Sequence, residues 1–417
     1  MSEKLVNGIH PVILLVVTWI ALSIIWKKFK QNRGRLKIYP LIVVYQSDKF
    51  KKFIEYVGIK YKNFWKYLGS VANRTFPFIM TLSISYISIN TIALFTNFYM
   101  EFMGLPIGSR FELVIPFITI PLGKFLIIIF LGFAIAVITH EIFHGAVAVA
   151  EDKRIKSAGL LISIGFGGGF VELDIEDELQ QVLDRYTKSS ATSEVKSNKS
   201  SSEEEVSLKT NSKALLKKFR KIVAAGVFAN IILMLAFAGT LYSFKLTGVY
   251  EEYGIKILAV DNNSPAYIYG LQVEDIIIRL AEQRVRTIKE FQEVLLRFRP
   301  GDNISITVLR AGLEKTFYIV LAEENGKPYI GILMQQYIKS NFSLISDSMM
   351  FDIVYFLLIN SMLEFLIFVV NSLPIFFLDG FNWLASVFIE NYGKLGFRIL
   401  LIISVVILTI FAFNFIV

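Results

Sequence analysis

Long apolar runs alternate with polar segments along the whole chain. Six runs approach the length of about 20 apolar residues that a helix needs to cross a bilayer, and they fall at about 10–26, 75–98, 124–150, 222–244, 351–373 and 395–417. The run at 112–122 is shorter and contains two prolines, so we expect it to lie at the interface or to re-enter the membrane. The pattern predicts an α-helical polytopic membrane protein with about six transmembrane helices.

The composition supports a membrane protein. The chain has 417 residues, of which 54% are hydrophobic and only 19% charged, and its mean hydropathy is +0.56; soluble domains carry about 25% charged residues. The formal net charge is +8. Because lysines and arginines of membrane proteins collect in cytoplasmic loops, we attribute this charge to topology and expect membrane lipid, not nucleic acid, as the partner.

The distribution of basic residues predicts the orientation in the cell membrane. Basic residues follow the first run, which indicates a retained span and not a cleaved signal peptide. They fill the loop between the first two runs and both ends of the loop 151–221, so we expect both loops in the cytoplasm. The third span then ends near the cytoplasmic face, and the segment 250–336 lies outside the cell.

Three segments outside the spans have distinct characters. Residues 184–212 are rich in Ser, Lys and Glu and poor in large apolar side chains, which predicts a disordered cytoplasmic insert. The apolar, glycine-containing stretch 160–172 is typical of a short β-hairpin with exposed backbone edges. Strand-like runs separated by turn signals in 250–336 predict a small inserted α+β domain. The resulting division of the chain is 1–123, 124–183, 184–212, 213–249, 250–336 and 337–417.

The pentapeptide His140-Glu141-Ile142-Phe143-His144 lies within the third span. On a helix this spacing places two imidazoles on one face, with a glutamate beside them that can take a proton from water. The chain has three histidines in all, which makes a chance match improbable. Such polar groups are unfavourable in a span unless they pair or bind a ligand.

A catalytic zinc site requires a third protein ligand. The chain has no cysteine, and the remaining histidine is His10, so a carboxylate is expected. Asp379 lies in a stretch where Pro374 and Gly380 interrupt a helix, and non-helical backbone at membrane depth usually lines a cavity. Glu364, in the preceding apolar run, is the competing candidate.

Asn230 is a further polar residue within an apolar run, close to Gly226. Two interpretations are equally consistent with the sequence. Its amide could form a helix–helix hydrogen bond, or it could lie at the metal and stabilise the developing oxyanion.

These motifs resemble the site-2 protease family of intramembrane zinc metalloproteases. The resemblance rests on the His-Glu-x-x-His motif, on Asn371-Ser372-Leu373-Pro374 with Leu378-Asp379-Gly380, and on their order in different spans. It implies one Zn²⁺ per chain, held by His140, His144 and Asp379, with Glu141 as general base. The element from Gly226 to Asn230 resembles the family's Gly-x-x-x-Asn motif, which implies that Asn230 acts beside the catalytic centre.

The segment 250–336 resembles the PDZ domain that this family often carries. The signature is Ser264-Pro265-Ala266, Gly270-Leu271, Glu274-Asp275-Ile276-Ile277 and Pro300-Gly301-Asp302. Two positions depart from it: Glu274 replaces a usual glycine, and Glu282-Gln283-Arg284 replaces a usual Asn-Gly turn. The stretch from Gly165 to Leu173 resembles the family's re-entrant loop. The substrate-binding positions expected from the resemblance are Gly167, Gly168, Gly169, Phe170, Val171 and Asn371.

The predicted function is hydrolysis of peptide bonds within transmembrane segments of single-span membrane proteins, as in regulated intramembrane proteolysis. One alternative is an inactive peptide-binding receptor with a structural metal site, but such a site needs no glutamate base. A metal transporter is the other alternative, and it would require further polar residues along a path through the membrane.

Overall fold

The computed structural model describes residue 24 and residues 36–38, 42–102, 124–163, 166–175 and 201–416. The chain divides into two compact units. The first, here called the membrane unit, comprises the residues up to Ala236 together with Ile359–Val417. The second, the sheet unit, is Phe237–Leu358.

Long apolar helices dominate the membrane unit. In the described ranges from residue 36 onward the helices are α1 (Asp48–Lys60), α2 (Lys62–Phe102), α3 (Lys124–Ala150), α4 (Ser201–Leu246), α5 (Pro265–Ile268), α6 (Ile288–Leu295), α7 (Asp347–Ser372) and α8 (Asp379–Ile416). Helix α8 is interrupted at Gly393, whose backbone is not helical. Stretches long and apolar enough to cross a membrane occupy Lys62–Ala93, Ile127–Ala150, Asn211–Leu246, Asp347–Ser372 and Leu395–Ala412.

Five of the six predicted spans therefore correspond to helices of the described chain, which confirms a polytopic α-helical membrane protein. The sixth, at 10–26, lies almost entirely outside the described residues, as does the short apolar run at 112–122. The predicted disordered insert 184–212 was wrong in its last part, because residues 201–212 form the start of α4.

The predicted hairpin belongs to a larger sheet. Strands β1 (Leu36–Ile38), β2 (Ile42–Gln46), β3 (Ile155–Ser163) and β4 (Phe166–Leu173) form an antiparallel sheet in that order. The edge of β3, which we expected to be exposed, is covered by β2. The two strands approach so closely that a Cβ at Gly159 would lie 1.9 Å from the carbonyl oxygen of Tyr45. Strand β4 is at the edge of this sheet among the described residues.

Small residues and buried hydrogen bonds hold the membrane helices together. Helix α1 packs against the last turns of α3, where a Cβ at Gly58 would lie only 2.8 Å from the Cβ of Val149. The hydroxyl of Ser372 donates to that of Ser83 at 2.7 Å, and this bond joins α7 to α2. Glycine and serine at such contacts allow helix backbones to approach closely in lipid, where apolar side chains gain little from association.

The sheet unit contains the predicted α+β domain. Its strands are β5 (Tyr250–Val260), β6 (Ile276–Leu280), β7 (Gln283–Arg284), β8 (Asn303–Arg310), β9 (Leu313–Val320), β10 (Ala322–Glu324), β11 (Lys327–Tyr329) and β12 (Ile332–Ser340). The main sheet has the order β12-β5-β6-β8-β9, with β7 paired to β6. Its core includes Ile257, Ile277, Phe291 and Ile306. This is a PDZ-like domain, and it continues to Ser340, beyond the predicted boundary at 336.

The two departures from the PDZ signature lie at strained backbone positions. Glu274 has φ of 76°, and Ala281 and Glu282 have φ of 47° and 64°. Glycine adopts this left-handed region without a steric penalty, and consecutive positive φ values are the reason that Asn-Gly is favoured in tight hairpin turns. The hairpin turn is formed by Ala281 and Glu282, one residue before the predicted Glu282-Gln283-Arg284, because Gln283 and Arg284 already form β7.

Candidate metal centre

Helix α3 places the two histidines of the pentapeptide on one face. Their Nε2 atoms are 3.0 Å apart, and the side chain of His140 is buried. The spacing of four residues on a helix brings side chains to successive turns of the same face. Both imidazoles therefore point to one place within a candidate membrane span.

Asp379 reaches the same place because the chain breaks between α7 and α8. Helix α7 ends at Ser372, shortly before Pro374, and Phe377 has φ of 75° in the connecting turn. Gly380 then packs against the end of α7, since a Cβ there would lie 2.2 Å from the carbonyl oxygen of Ser372. The predicted helix break is confirmed, and it presents the Asp379 carboxylate at the first residue of α8.

Three potential metal-ligand atoms converge. Asp379 Oδ2 lies 3.0 Å from His140 Nε2 and 3.3 Å from His144 Nε2. Ligands about 2.05 Å from a tetrahedral zinc ion are about 3.3 Å from one another. The separations are therefore close to those of a zinc site, and the predicted set of His140, His144 and Asp379 is brought together.

The hydrogen bonds on the far side of each imidazole leave its Nε2 lone pair available to a metal. His144 Nδ1 is 2.7 Å from the carbonyl oxygen of Ile222, and His140 Nδ1 is 2.7 Å from Asn230 Oδ1. Both oxygens can only accept, so each Nδ1 carries a proton, and in the neutral form of each ring the lone pair lies at Nε2. Asp379 Oδ2 is buried and has no hydrogen-bond partner among the described residues. Lone pairs converging at this distance repel unless a cation lies between them, so the residues fit a divalent metal.

Helix α4 packs closely against this centre at a glycine. A Cβ at Gly226 would lie 2.3 Å from His144 Nε2 and 2.7 Å from His140 Nε2. Real Cβ atoms do not come so close to their neighbours, so only glycine fits between the helix backbone and the two ligand atoms. This requirement gives a physical reason for the first residue of the Gly-x-x-x-Asn element.

Glu141 lies beside the ligands without belonging to their set. The backbone N–H of Val171 on β4 faces its carboxylate. A Cβ at Gly169 would lie 3.0 Å from Glu141 Cγ, so β4 passes directly along this side chain. The predicted general base and two of the predicted substrate-binding positions, Gly169 and Val171, therefore lie next to each other.

Other predicted substrate-binding positions surround the same strand. Gly167, Gly168 and Phe170 also belong to β4, where they pair with β3. Asn371 is half-buried near the end of α7. The structure thus brings Gly169 and Val171 to Glu141 and does not bring Asn371 into the ligand set.

The structure changes the role of Asn230 and of Glu364. The amide of Asn230 bonds to His140 through its oxygen and donates to Glu364 Oε2 through its nitrogen, at 2.7 Å each. It lies behind the ligand ring and joins α3 to α7, as the helix–helix interpretation expects, while the oxyanion role stays a prediction. Glu364, the competing third ligand, contacts Asn230 and is absent from the ligand set. Sequence reasoning located both residues but could not determine what their side chains face.

Known proteins share sequence with this chain. An uncharacterized protein of Methanocaldococcus jannaschii, MJ0971, is 27% identical over 89% of this chain and 83% of its own. The serine endoprotease DegS of Haemophilus influenzae is 33% identical over 73 residues, which cover 18% of this chain and 22% of that protein.

Solved PDZ domains are similar to part of the chain. The PDZ domain of an SdrC-like protein from Listeria monocytogenes is 23% identical and covers 20% of this chain and 87% of its own, with a TM-score of 0.19. The equivalent domain from Listeria innocua is 26% identical over 20% of this chain and 96% of its own, also with a TM-score of 0.19.

A family model covers the catalytic core. The model described as peptidase family M50 matches residues 128–413, which is well over half of the chain and includes His140, His144 and Asp379. The chain belongs to peptidase family M50, the site-2 protease family of membrane-embedded metallopeptidases.

Proposed function

We propose that this protein is a zinc-dependent endopeptidase that hydrolyses peptide bonds in the membrane segments of single-span proteins. The observation that carries the proposal is the convergence of His140, His144 and Asp379 within a candidate membrane span, with Glu141 beside them. A structural zinc site is usually closed by four protein ligands and needs no base, whereas a hydrolase needs three ligands, an open position and a base next to the metal.

The chain supplies the proton transfers of the proposed reaction. Zinc, when bound by the three ligands, acidifies water and polarises a carbonyl group. Glu141 takes a proton from the water molecule as its oxygen bonds to the scissile carbonyl carbon. The carbon–nitrogen bond then breaks, and Glu141 returns the proton to the leaving amine. The Nδ1 atoms of His140 and His144 face acceptor oxygens, which orients the Nε2 atom of each ring toward the place where zinc would be held.

Strand β4 is suited to hold the substrate as an added strand. A helical substrate must unwind before its backbone can be hydrolysed, and an exposed sheet edge can pair with an extended segment. Successive N–H groups of an antiparallel strand point to opposite sides. Because the N–H of Val171 faces Glu141 and not β3, the N–H of Gly169 lies on the same side, where the base is located.

The surroundings of β4 favour an apolar substrate. A cavity of about 240 Å³ lies between α3 and the hairpin. It is lined by Phe130, Phe133, Ala134, Ile138, Leu160, Leu161 and Gly168. A dry apolar cavity of about 150 Å³ holds a benzene ring, so this space suits one large aliphatic or aromatic side chain of a transmembrane segment.

We further propose that the metal centre lies near the cytoplasmic face and the PDZ-like domain outside the cell. The support is the concentration of basic residues in 27–74 and 151–221. At the end of α3, Lys221 forms an ion pair with Glu151 at 2.7 Å, which indicates a polar boundary there. A protease-accessibility assay on oriented vesicles distinguishes the two orientations.

Removing the metal tests the proposed function. We expect the purified protein in detergent to contain one zinc ion per chain and to lose cleavage of a single-span model substrate after dialysis against a chelator. Stoichiometric zinc should restore cleavage in the wild type, whereas Asp379→Asn should stay inactive because one ligand is missing. Full activity in a sample without measurable metal would contradict the proposal.

Proline at Val171 tests the role of the strand edge. Proline lacks the backbone N–H, so Val171→Pro cannot donate a hydrogen bond from this position. We expect kcat/KM for a transmembrane substrate to fall by about tenfold, which corresponds to the upper range of the free energy of one hydrogen bond. Zinc content should be unchanged. Val171→Thr keeps the backbone N–H and a β-branched side chain, and it should cleave like the wild type. Equal rates for the proline and threonine variants would remove the edge from the mechanism.

A further inference from the structure

A buried chain of hydrogen bonds runs from a metal ligand to a carboxylate on another helix. His140 on α3 contacts Asn230 on α4, and Asn230 contacts Glu364 on α7, each at 2.7 Å. Asn230 is 0% exposed and Glu364 is 1% exposed. A carboxylate in a membrane span is unfavourable and is usually retained for a function. Its position behind the ligand ring excludes Glu364 from the metal itself.

The contact with Glu364 determines which end of the Asn230 amide faces His140. The carboxylate oxygen accepts the hydrogen bond, so the amide nitrogen must face Glu364 and the amide oxygen must face the imidazole. An amide without this acceptor is free to turn by about 180°. Its N–H would then face His140 Nδ1 and favour the tautomer with the proton on Nε2, which cannot bind a metal.

Close helix packing keeps the chain of contacts in place. Asn360 lies one turn before Glu364 on α7 and is fully buried. A Cβ at Gly132 on α3 would lie 1.5 Å from Asn360 Oδ1. Glycine therefore lets α7 approach α3 closely, which holds Glu364 at a fixed distance from the helix that carries His140.

We infer that Glu364 is a positioning residue: by fixing the orientation of the Asn230 amide, it holds His140 in the tautomer that binds the metal. The inference rests on the proposed metal site and adds a residue outside the motifs that define the catalytic core. Residues behind metal-binding histidines typically change metal affinity by about 10- to 100-fold when they are removed.

Zinc affinity, measured by competition with a fluorescent chelator on the purified full-length protein, tests the inference. We expect Glu364→Leu to raise the zinc dissociation constant by about 10- to 100-fold. Glu364→Gln can still present an oxygen to Asn230, so its affinity should stay within about threefold of the wild type. The absorption spectrum of the cobalt-substituted protein should change in the leucine variant and not in the glutamine variant.

A rescue variant separates positioning from a general effect on packing. Aspartate at position 230 has two acceptor oxygens and cannot present an N–H to His140. We therefore expect Asn230→Asp combined with Glu364→Leu to bind zinc as tightly as the wild type. Ser83→Ala is the control, because it removes a buried interhelical hydrogen bond that involves none of His140, Asn230 and Glu364, and it should leave zinc affinity unchanged.

Two results would overturn the inference. Wild-type zinc affinity in Glu364→Leu would show that the tautomer of His140 does not depend on Glu364. Weak binding that is equal in Glu364→Leu and in the double variant would show a packing defect in place of positioning. Both results leave zinc binding by the wild type intact, so they are distinguishable from failure of the proposed function, in which the wild type itself would not cleave.

Discussion

Replacing Glu141 with glutamine should abolish cleavage of a single-span substrate while leaving zinc bound. Glutamine has nearly the same shape and can still accept a hydrogen bond from the Val171 N–H, but it cannot take a proton from water. General-base catalysis contributes about 10²- to 10⁴-fold, so we expect kcat to fall by at least about 100-fold. Zinc content should stay at one per chain, because the ligand set is His140, His144 and Asp379.

The Asp379→Asn variant provides the opposite pattern, since it should lose zinc and cleavage together. The comparison also separates the alternative functions. A peptide-binding receptor with a structural metal would bind substrate in the wild type and in Glu141→Gln, and neither protein would cleave it. Cleavage by Glu141→Gln at the wild-type rate would refute the assignment of Glu141 as the base.

The parts of the fold with a local cause could be predicted from the sequence. Helix α3 ends where the apolar run 124–150 does, because charged residues follow directly at Glu151 and Asp152. The break before Asp379 follows from Pro374, which cannot continue a helix. The metal ligands were predictable for the same reason, since two of them share one helix and the third lies in that break.

The sheet of the membrane unit depends on contacts between distant residues and could not be predicted. Ile42 pairs with Ser163, and Gln46 pairs with Gly159, although more than a hundred residues separate them in the chain. A strand of three to five residues has little periodicity, and its partner is fixed only by the folded helices around it. Strand β2, which covers β3, lies within the basic loop 27–74. From the sequence of this loop only its positive charge could be interpreted.

The roles of buried polar residues were also beyond the sequence. Asn230 and Glu364 were recognisable as unfavourable residues within apolar runs, but an amide can face a metal, a ligand or a neighbouring helix with equal ease. Only the distances of 2.7 Å on both sides of Asn230 decide among these possibilities. These distances show that Asn230 contacts the back of His140. Glu364, the competing candidate for the third ligand, contacts Asn230 in turn.

Adding a single methyl group at Gly226 should remove the metal and therefore the activity. The new Cβ would lie 2.3 Å from His144 Nε2 and 2.7 Å from His140 Nε2, and helix α4 cannot retreat easily because Ala224, Ala225 and Val227 are buried on either side. We expect Gly226→Ala to bind zinc at least about 100-fold more weakly than the wild type, which is the upper end of the effect of disturbing the residues around metal ligands. The variant should then show no measurable cleavage.

The control for this prediction is another glycine of the same helix. A Cβ at Gly239 would meet no atom within 4 Å, so Gly239→Ala should bind zinc and cleave like the wild type. Alanine is a better helix former than glycine by about 1 kcal/mol, so both substitutions favour the helical state of α4. A loss of zinc affinity that occurs only in Gly226→Ala therefore cannot come from a weakened helix. The zinc content of both purified variants is measured by mass spectrometry. A zinc content in Gly226→Ala equal to that of the wild type would show that α4 can move away and that the glycine is not needed for the metal centre.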